Sequence, residues 1–280
     1  ANVLGVEGID YMIEDGARVP FHFHWMCPSC VPSTPFETAG AALDSHAVAA
    51  LLQREDIGGL AEMMNAPGVL FRDPEVMAKL EACRALRKPI DGHAPGLRGA
   101  DAEQYVGEGI TTDHECTTLE EAEERIALGQ KILIREGSAA CDFNTLSPLL
   151  VRHKEALMFC SDDKYADELQ VGYIDELVRR AVAEGYPLWH VLRAACVTPV
   201  QHYGIPQGLL QVGDPADFIV VDNLQDFNVL DVHISRIGTC SVSPKTYPNN
   251  FSAKPITLPL PTPKTHDVIV ALEGSLYTHR

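Results

Sequence analysis

The sequence is short of positive charge and contains no long apolar run. Its 22 Lys and Arg residues face 39 Asp and Glu residues, which gives a formal net charge of -17. This balance argues against nucleic acid or an anionic membrane as a partner, because both bind basic surfaces. No apolar run reaches the roughly 18 residues that a membrane-spanning helix needs.

Several common signatures are missing as well. The sequence has no Walker A or GxGxxG motif, no GxSxG nucleophile elbow and no HExxH helix, so it shows no nucleotide-binding loop and no serine-hydrolase or zincin motif. Residues 1–5 lack the basic segment and cleavage pattern of a secretory signal. The eight cysteines are scattered through apolar segments, which favours free thiols in a reducing cytoplasm. The lone CxxC pair, Cys27 and Cys30, has no second pair, so we interpret it as a structural loop.

Strand and helix patterns alternate from residue 19 onward. Strands are predicted at 19–26, 56–64, 88–93, 109–113, 131–135 and 156–160. Helices are predicted at 6–18, 45–54, 74–87, 99–107, 118–128, 144–153, 172–184 and 188–203. Strict alternation with short turns predicts an α/β fold with a parallel sheet, and a barrel is its commonest enclosed form. Because a closed (β/α)₈ barrel needs eight strands, we expect this chain to be a piece of a longer one.

The pattern changes after Gly204. Residues 208–222 predict two short strands around a tight turn, and residues 241–266 predict a proline-rich linker or arm. We therefore expect residues 1–204 to form strands 3–8 of the barrel. Residues 205–280 would then form part of a small β domain together with the linker.

Polar side chains stand where five successive strands of the predicted barrel end: Glu62, His93, Asp113 with His114 and Glu115, Arg135 with Glu136 and Ser138, and Asp162 with Asp163. Each residue alone reads as a solvated loop residue. Together they predict one common site, because a barrel collects the carboxyl ends of its strands on one face. Imidazole nitrogens with carboxylates nearby suit zinc, iron or manganese.

Asp162 directly follows an apolar strand and precedes a second acid. This position suits a metal ligand that also accepts a proton, since a metal lowers the pKa of water from about 15.7 toward about 7. His22 and His24 share one face of their predicted strand. We interpret them as facing the barrel interior or the covering helices, because Trp25 and Met26 follow at once.

Five segments together resemble the bacterial adenine deaminases of the amidohydrolase superfamily: GLAEMMNAPGV at 59–69, DGHAPGL at 91–97, TTDHE at 111–115, IREGSAA at 134–140 and SDD at 161–163. The resemblance implies metal-dependent hydrolysis of adenine to hypoxanthine and ammonia in cytoplasmic purine salvage. It also implies a distorted (β/α)₈ TIM-type barrel with a small β-sandwich domain, two divalent ions (Mn²⁺, Fe²⁺ or Zn²⁺) and a homodimer.

By the same resemblance, His93 and His114 would be metal ligands from the fifth and sixth barrel strands. Asp162 would bind metal and take the proton of the attacking water, and Glu62 would flank the metals and pass a proton to N1 of the purine. His114 would belong to the catalytic set together with these two acids. The substrate-binding residues implied are Arg135, Glu136 and Ser138.

The sequence departs from this family in one respect and leaves alternatives open. The family's first-strand His-x-His pair is absent, so if these 280 residues were the whole molecule we would expect a damaged metal site and little activity. The alternatives are a related amidohydrolase acting on another purine or on a cyclic amide, as dihydroorotases do, and an inactive fragment. The EMMN and DGHAPG motifs favour adenine. In addition, no lysine stands at a strand end for carboxylation, since Lys131 begins its strand.

Overall fold

Six parallel strands form the central part of the protein. The computed structural model describes residues 1–19, 21–235 and 238–241. These strands are β1 (Trp25–Cys27), β2 (Ile57–Met63), β3 (Ile90–Gly92), β4 (Thr112–Asp113), β5 (Lys131–Arg135) and β6 (Leu157–Cys160). They pair in two parallel sheets, β1-β2-β3 and β4-β5-β6. The Thr111 N–H donates to the Ile90 carbonyl at 2.8 Å, which places β4 beside β3. The six strands therefore lie side by side in chain order, and the predicted α/β class is confirmed.

One helix precedes these strands, and the others connect or follow them: α1 (Val6–Gly16), α2 (Ser45–Leu52), α3 (Ala66–Leu70), α4 (Pro74–Ala85), α5 (Gly99–Gly107), α6 (Leu119–Ala127), α7 (Phe143–Leu146), α8 (Leu149–Arg152), α9 (Ala166–Leu169), α10 (Ile174–Ala183), α11 (Leu188–Leu192) and α12 (Thr198–Tyr203). Acids cap two of the helices: the Asp44 carboxylate accepts from Ala47 N at the start of α2, and the Asp73 carboxylate accepts from Val76 N at the start of α4. None of the helices in the described part of the chain is both long and apolar enough to cross a membrane.

The structure differs from the predicted elements in several places. Helices α3 and α9 were not predicted, and α3 begins because the Asn65 side chain accepts from Gly68 N at 2.9 Å. The strand predicted at 19–26 forms ladder pairs only as β1. The helix predicted at 144–153 is two short helices, α7 and α8. The helix predicted at 188–203 is interrupted by a π-helical turn over Arg193–Val197.

A separate antiparallel sheet follows the helices. It contains β7 (Phe218–Val221), β8 (Val229–Ile234) and β9 (Gly238–Ser241) in that order. The first strand predicted within 208–222 is absent, so that prediction was wrong. The Asp214 carboxylate accepts from Leu209 N and Gln211 N, and this local turn uses main-chain groups that a strand ladder would need. The small β-sandwich domain stays a prediction, and the proline-rich segment lies beyond Ser241, outside the described residues.

Two apolar clusters fill the parallel part. One packs β1–β3 against α2 and α4, and the other packs β5 and β6 against α7, α8, α10 and α11. Behind the carboxyl ends of β2–β4 the buried side chains become polar: Tyr105, Asp113, Arg125 and Gln130 are all at most 1% exposed. The fold thus surrounds the strand ends that carry the candidate site with tightly packed structure.

Candidate metal centre

The carboxyl ends of strands β2, β3, β4 and β6 bring the predicted ligands to one place. Glu62 is the penultimate residue of β2, while His93 follows β3 and His114 follows β4 directly. Asp162 lies two residues after β6. Parallel strands direct these ends toward the same face, which explains why residues distant in the sequence meet.

Glu62, His93 and His114 form a compact group. The Glu62 Oε2 atom lies 3.0 Å from His93 Nδ1 and 3.1 Å from His114 Nε2. The two imidazole rings stand edge to face, with their centroids 5.4 Å apart. One ligand atom from each residue lies within 4.8 Å of the other two, which is the spacing that a single bound ion requires.

A second group shares one member with the first. His114, Glu115 and Asp162 also offer ligand atoms within 4.8 Å of one another. Glu115 Oε1 lies 3.5 Å from His93 Nδ1 and 3.4 Å from His114 Nε2. Glu115 was predicted only as part of the strand-end set, without a role of its own. Its position next to His114 was the available signal.

Arg135 balances the charge of the second group. Its guanidinium binds both oxygens of the Glu115 carboxylate, and Nη1 also lies 3.2 Å from Asp162 Oδ2. On the other side, Arg135 Nε lies 3.3 Å from Asp142 Oδ2. Arg135 was predicted to hold substrate, and the structure places it at the site as a bridge between acids.

Glu136 and Ser138 contact other parts of the fold. The Glu136 carboxylate accepts from Arg180 Nη1 at 2.9 Å and from Phe143 N at 3.2 Å. The Ser138 hydroxyl donates to Glu168 and accepts from Tyr165 N at 2.9 Å. The structure does not bring either side chain into the two ligand groups, and their predicted role in substrate binding stays a prediction.

The close approach of acids and imidazoles shifts their protonation. The His114 and His93 imidazoles hold the pKa of Glu62 at about 2. The Glu62 carboxylate raises the pKa of His93. Burial by itself lowers the pKa of His114, but the neighbouring Glu62, Asp162 and Glu115 carboxylates together more than offset this, so the net shift is upward. Without a cation, the group therefore favours protonated imidazoles beside charged carboxylates.

The surroundings of the buried His114 Nε2 atom show that a cation fits. Within the described residues this atom forms no hydrogen bond, although Glu62 and Glu115 oxygens lie 3.1 and 3.4 Å away. A buried ring nitrogen without a hydrogen bond is costly, and a metal ion would satisfy it. Nitrogen and carboxylate donors in this mixture suit zinc, iron or manganese. The residues present therefore fit a divalent cation.

Asp162 differs from the other members in its backbone conformation. Its φ of 51° lies in the left-handed region, where a residue with a side chain is strained. Its side chain is 34% exposed, much like the 36% of Glu62, whereas that of His114 is 11% exposed. Glu62 and Asp162 are therefore the acids of the two groups that are most open to solvent.

The other sequence candidates lie elsewhere. The His24 ring packs near Tyr203 with centroids 6.2 Å apart, and burial lowers the pKa of His24. In the ranges that the structure covers, neither His22 nor His24 belongs to a group able to hold a metal, and neither do Cys27 and Cys30. The loop after Cys27 is structural, as interpreted, because the buried Lys79 ammonium donates to two of its carbonyls.

Comparisons with known proteins agree on one family. Residues 1–240 match the Amidohydrolase family. An adenine deaminase from Salinibacter ruber is 58% identical over 234 residues, which are 84% of this chain and 43% of that protein. An adenine deaminase from Methanosarcina acetivorans is 49% identical over 300 residues, which are 99% of this chain and 54% of that protein. This chain spans about half the length of these curated relatives.

Two solved structures share the fold at low sequence identity. N-acetylglucosamine-6-phosphate deacetylase from Pasteurella multocida superposes with a TM-score of 0.55 at 16% identity, over 82% of this chain and 70% of that one. A β-aspartyl dipeptidase from Fervidobacterium islandicum AW-1 superposes with a TM-score of 0.56 at 17% identity, over 73% of this chain and 62% of that one. These likenesses concern the fold alone.

Proposed function

Because this chain belongs to the amidohydrolase family and has its distorted α/β-barrel fold, we propose that the whole protein hydrolyses adenine to hypoxanthine and ammonia. The proposal rests on the convergence of Glu62, His93 and His114 at the ends of β2, β3 and β4, with Asp162 nearby. The names of relatives at 40–58% identity support adenine as the substrate.

The proposed cofactor is divalent metal, with Mn²⁺, Fe²⁺ and Zn²⁺ as candidates and two ions as the proposed number. Glu62, His93 and His114 would hold one ion, and the group that contains His114, Glu115 and Asp162 supplies donors for a second. When bound, such an ion acts as a Lewis acid and lowers the pKa of water toward about 7.

The chain's own residues would move the protons of the reaction. Water adds its oxygen to C6 of adenine, and the bond from C6 to the amino nitrogen breaks as ammonia leaves. Asp162 would accept a proton from the attacking water, because its carboxylate belongs to the same ligand group as His114 and is partly exposed to solvent. Glu62 would deliver a proton to N1, so that N1 takes the electron pair of the C6–N1 double bond. The proton that Asp162 accepted would then pass to the amino nitrogen, which leaves as ammonia, and the C6 hydroxyl would return a proton to Glu62 as the C6 carbonyl of hypoxanthine forms.

Arg135 would act by orienting the acids. Its guanidinium contacts both Glu115 and Asp162, so it fixes the Asp162 carboxylate relative to the ligand group. Binding of the purine by Arg135, Glu136 and Ser138 is part of the same proposal. So are assembly as a homodimer and a location in the cytoplasm.

Ammonia release from adenine tests the proposal. The whole protein, stripped of metal and reloaded with Mn²⁺, should release ammonia from adenine faster than from other purines, and it should leave dihydroorotate unchanged. Asp162→Asn should reduce this rate by about 10²-fold or more, because the proton acceptor is lost. The neighbouring Asp163→Asn is the matched control and should retain the parent rate.

Three results would count against this function. Preferred turnover of another purine or of dihydroorotate would move the protein to a different branch of the family. No turnover of any of these compounds after metal loading would indicate a non-catalytic chain. Equal losses in the two Asp variants would remove Asp162 from the proton steps.

A further inference from the structure

Asp113 connects the two histidine-bearing strand ends. It is the last residue of β4, and its side chain is fully buried. One carboxylate oxygen accepts from Ala94 N at 3.1 Å, and the other accepts from Glu115 N at 2.8 Å. These two amides directly follow His93 and His114. A single side chain therefore holds the main chain immediately after both imidazoles.

The chemistry of this contact requires an acid. Each amide needs its own acceptor oxygen, and an asparagine would present a second donor to one of them. Among the described residues, the hydrogen-bond partners of Asp113 are these amides and the Cys116 thiol. Removing a carboxylate from water costs free energy, so burying Asp113 fully destabilises the fold unless its hydrogen bonds offset that cost.

Tyr105 makes the corresponding contact on the other side of His93. Its phenol, on α5, is fully buried. The hydroxyl donates to the Met63 carbonyl at 2.7 Å and accepts from the His93 N–H at 3.0 Å. Met63 directly follows Glu62 in β2. One hydroxyl thus joins the strand end that carries the Glu62 carboxylate to the strand end that carries the first imidazole.

Together these two side chains hold main-chain groups beside all three members of the first ligand group. We propose that Asp113 and Tyr105 are positioning residues for the metal centre, which set the separation of Glu62, His93 and His114 through the backbone. This inference rests on the proposed metal function. Partners that orient metal ligands govern metal affinity, and their loss weakens binding by about 10–100-fold in known sites.

A measurement of metal affinity, made separately from a measurement of stability, distinguishes residues that position the metal ligands from residues that only stabilise the core. Tyr186→Phe and Asp73→Ala are matched controls. The Tyr186 hydroxyl lies 3.0 Å from Ser147 Oγ, and Asp73 accepts from Glu75 N and Val76 N at the start of α4. Tyr186→Phe loses a phenol hydrogen bond to a serine hydroxyl, and Asp73→Ala loses two hydrogen bonds from main-chain N–H groups to a carboxylate. Both losses occur away from the metal ligands.

The experiment is a calorimetric titration of the metal-stripped whole protein with Mn²⁺, together with thermal unfolding of each variant in the absence of metal. We expect Tyr105→Phe and Asp113→Asn to weaken Mn²⁺ binding about 10–100-fold. The controls should bind Mn²⁺ within about twofold of the parent, even where they unfold at lower temperature. Amide exchange at Ala94 and Glu115 should accelerate in Asp113→Asn alone.

The outcomes distinguish a failure of this inference from a failure of the proposed metal function on which it rests. Parent-like Mn²⁺ affinity in Tyr105→Phe and Asp113→Asn would overturn the positioning role while leaving the metal centre intact. Failure of the parent to bind Mn²⁺ would overturn the metal centre itself. If Asp113→Asn does not fold, Tyr105→Phe decides the question, because it keeps the buried ring and removes a single oxygen.

Discussion

One strand of the parallel part, β5, and one strand of the antiparallel sheet, β7, both contain a short apolar run but differ in how deeply it is buried. The runs are ILI at 132–134 in β5 and FIVV at 218–221 in β7. In β5, Ile132 and Ile134 are fully buried, whereas in β7 Phe218 is 39% exposed and Ile219 is 44% exposed. An apolar run predicts a strand equally well in either case, but it does not predict how much of the strand is buried.

This difference shows where the stability of the site originates. The ligand-bearing strand ends belong to the part with continuous packing on both faces, as is usual for parallel sheets covered by helices. The sheet β7-β8-β9 contributes no residue to either ligand group within the described ranges. The metal centre should therefore depend on the parallel part and be insensitive to changes in β7 and β8.

The largest expected contrast comes from matched isoleucine substitutions. Ile134→Ala in β5 should lower the free energy of unfolding by about 2–5 kcal/mol, because it leaves a cavity in a packed core. Ile219→Ala in β7 should lower it by about 1 kcal/mol or less, since the side chain is already half exposed. Urea unfolding with the slope held constant measures both values. Equal costs would show that β7 supports the same core as β5.

Metal should stabilise only the parallel part. Mn²⁺ at about 100 times its dissociation constant should raise the free energy of unfolding by about 2.7 kcal/mol, because it binds the folded state alone. Amide exchange should slow at β2–β4 and remain unchanged at β7 and β8. A chelator should reverse the effect, and His114→Ala should abolish it. Equal protection of β8 would contradict the separation of the two regions.

A helix cap in the parallel part should have an intermediate effect. The Thr118 hydroxyl accepts from Glu121 N at 3.2 Å at the start of α6. Thr118→Ala should cost about 1 kcal/mol of stability, because an N–H at the helix start loses its acceptor. Thr118→Ser is the control and should retain most of the stability. A faster amide exchange in β8 of Thr118→Ala would show that the two regions unfold together.

The smallest expected effect is an acid-sensitive contact in the antiparallel sheet. Hydrogen bonding from the Ser235 N–H lowers the pKa of Asp217, whose carboxylate is largely in solvent. Because the folded pKa is depressed, this contribution is present above the ordinary pKa of 3.8 and is lost as pH falls through the lowered value. Its size should be about 0.5 kcal/mol or less, given solvent screening.

Amide exchange at Ser235 as a function of pH measures this contact. Asp217→Asn should remove the acid-dependent step, while exchange in β5 stays constant over the same pH range. An identical acid response in the variant would assign the step to another group.

Much of the site could be read from strand ends. Glu62, His93, His114 and Asp162 each follow or end an apolar strand, and parallel topology brings such ends together. The same logic could not separate Glu115 from its neighbours, because adjacent residues after a strand point in directions that the turn decides. The family resemblance, not the strand-end pattern, assigned Arg135 to the substrate. That role stays a prediction, and the structure gives this guanidinium three acidic partners.

Element boundaries failed where side chains compete with the backbone. Asn65 starts an unpredicted helix and Asp214 replaces a predicted strand with a turn, in each case by accepting main-chain N–H groups. Such contacts depend on one rotamer and leave little periodic trace in the sequence.

The sequence by itself determined the alternation of strands and helices and the placement of acids and imidazoles after successive strands, because both follow from local periodicity. Only the tertiary structure decided which carboxylate meets which imidazole, and that buried Asp113 and Tyr105 hold the main chain beside them. Those contacts join residues up to 52 positions apart, as Glu62 and His114 are, and their distances depend on how helices pack behind the strands rather than on any local pattern.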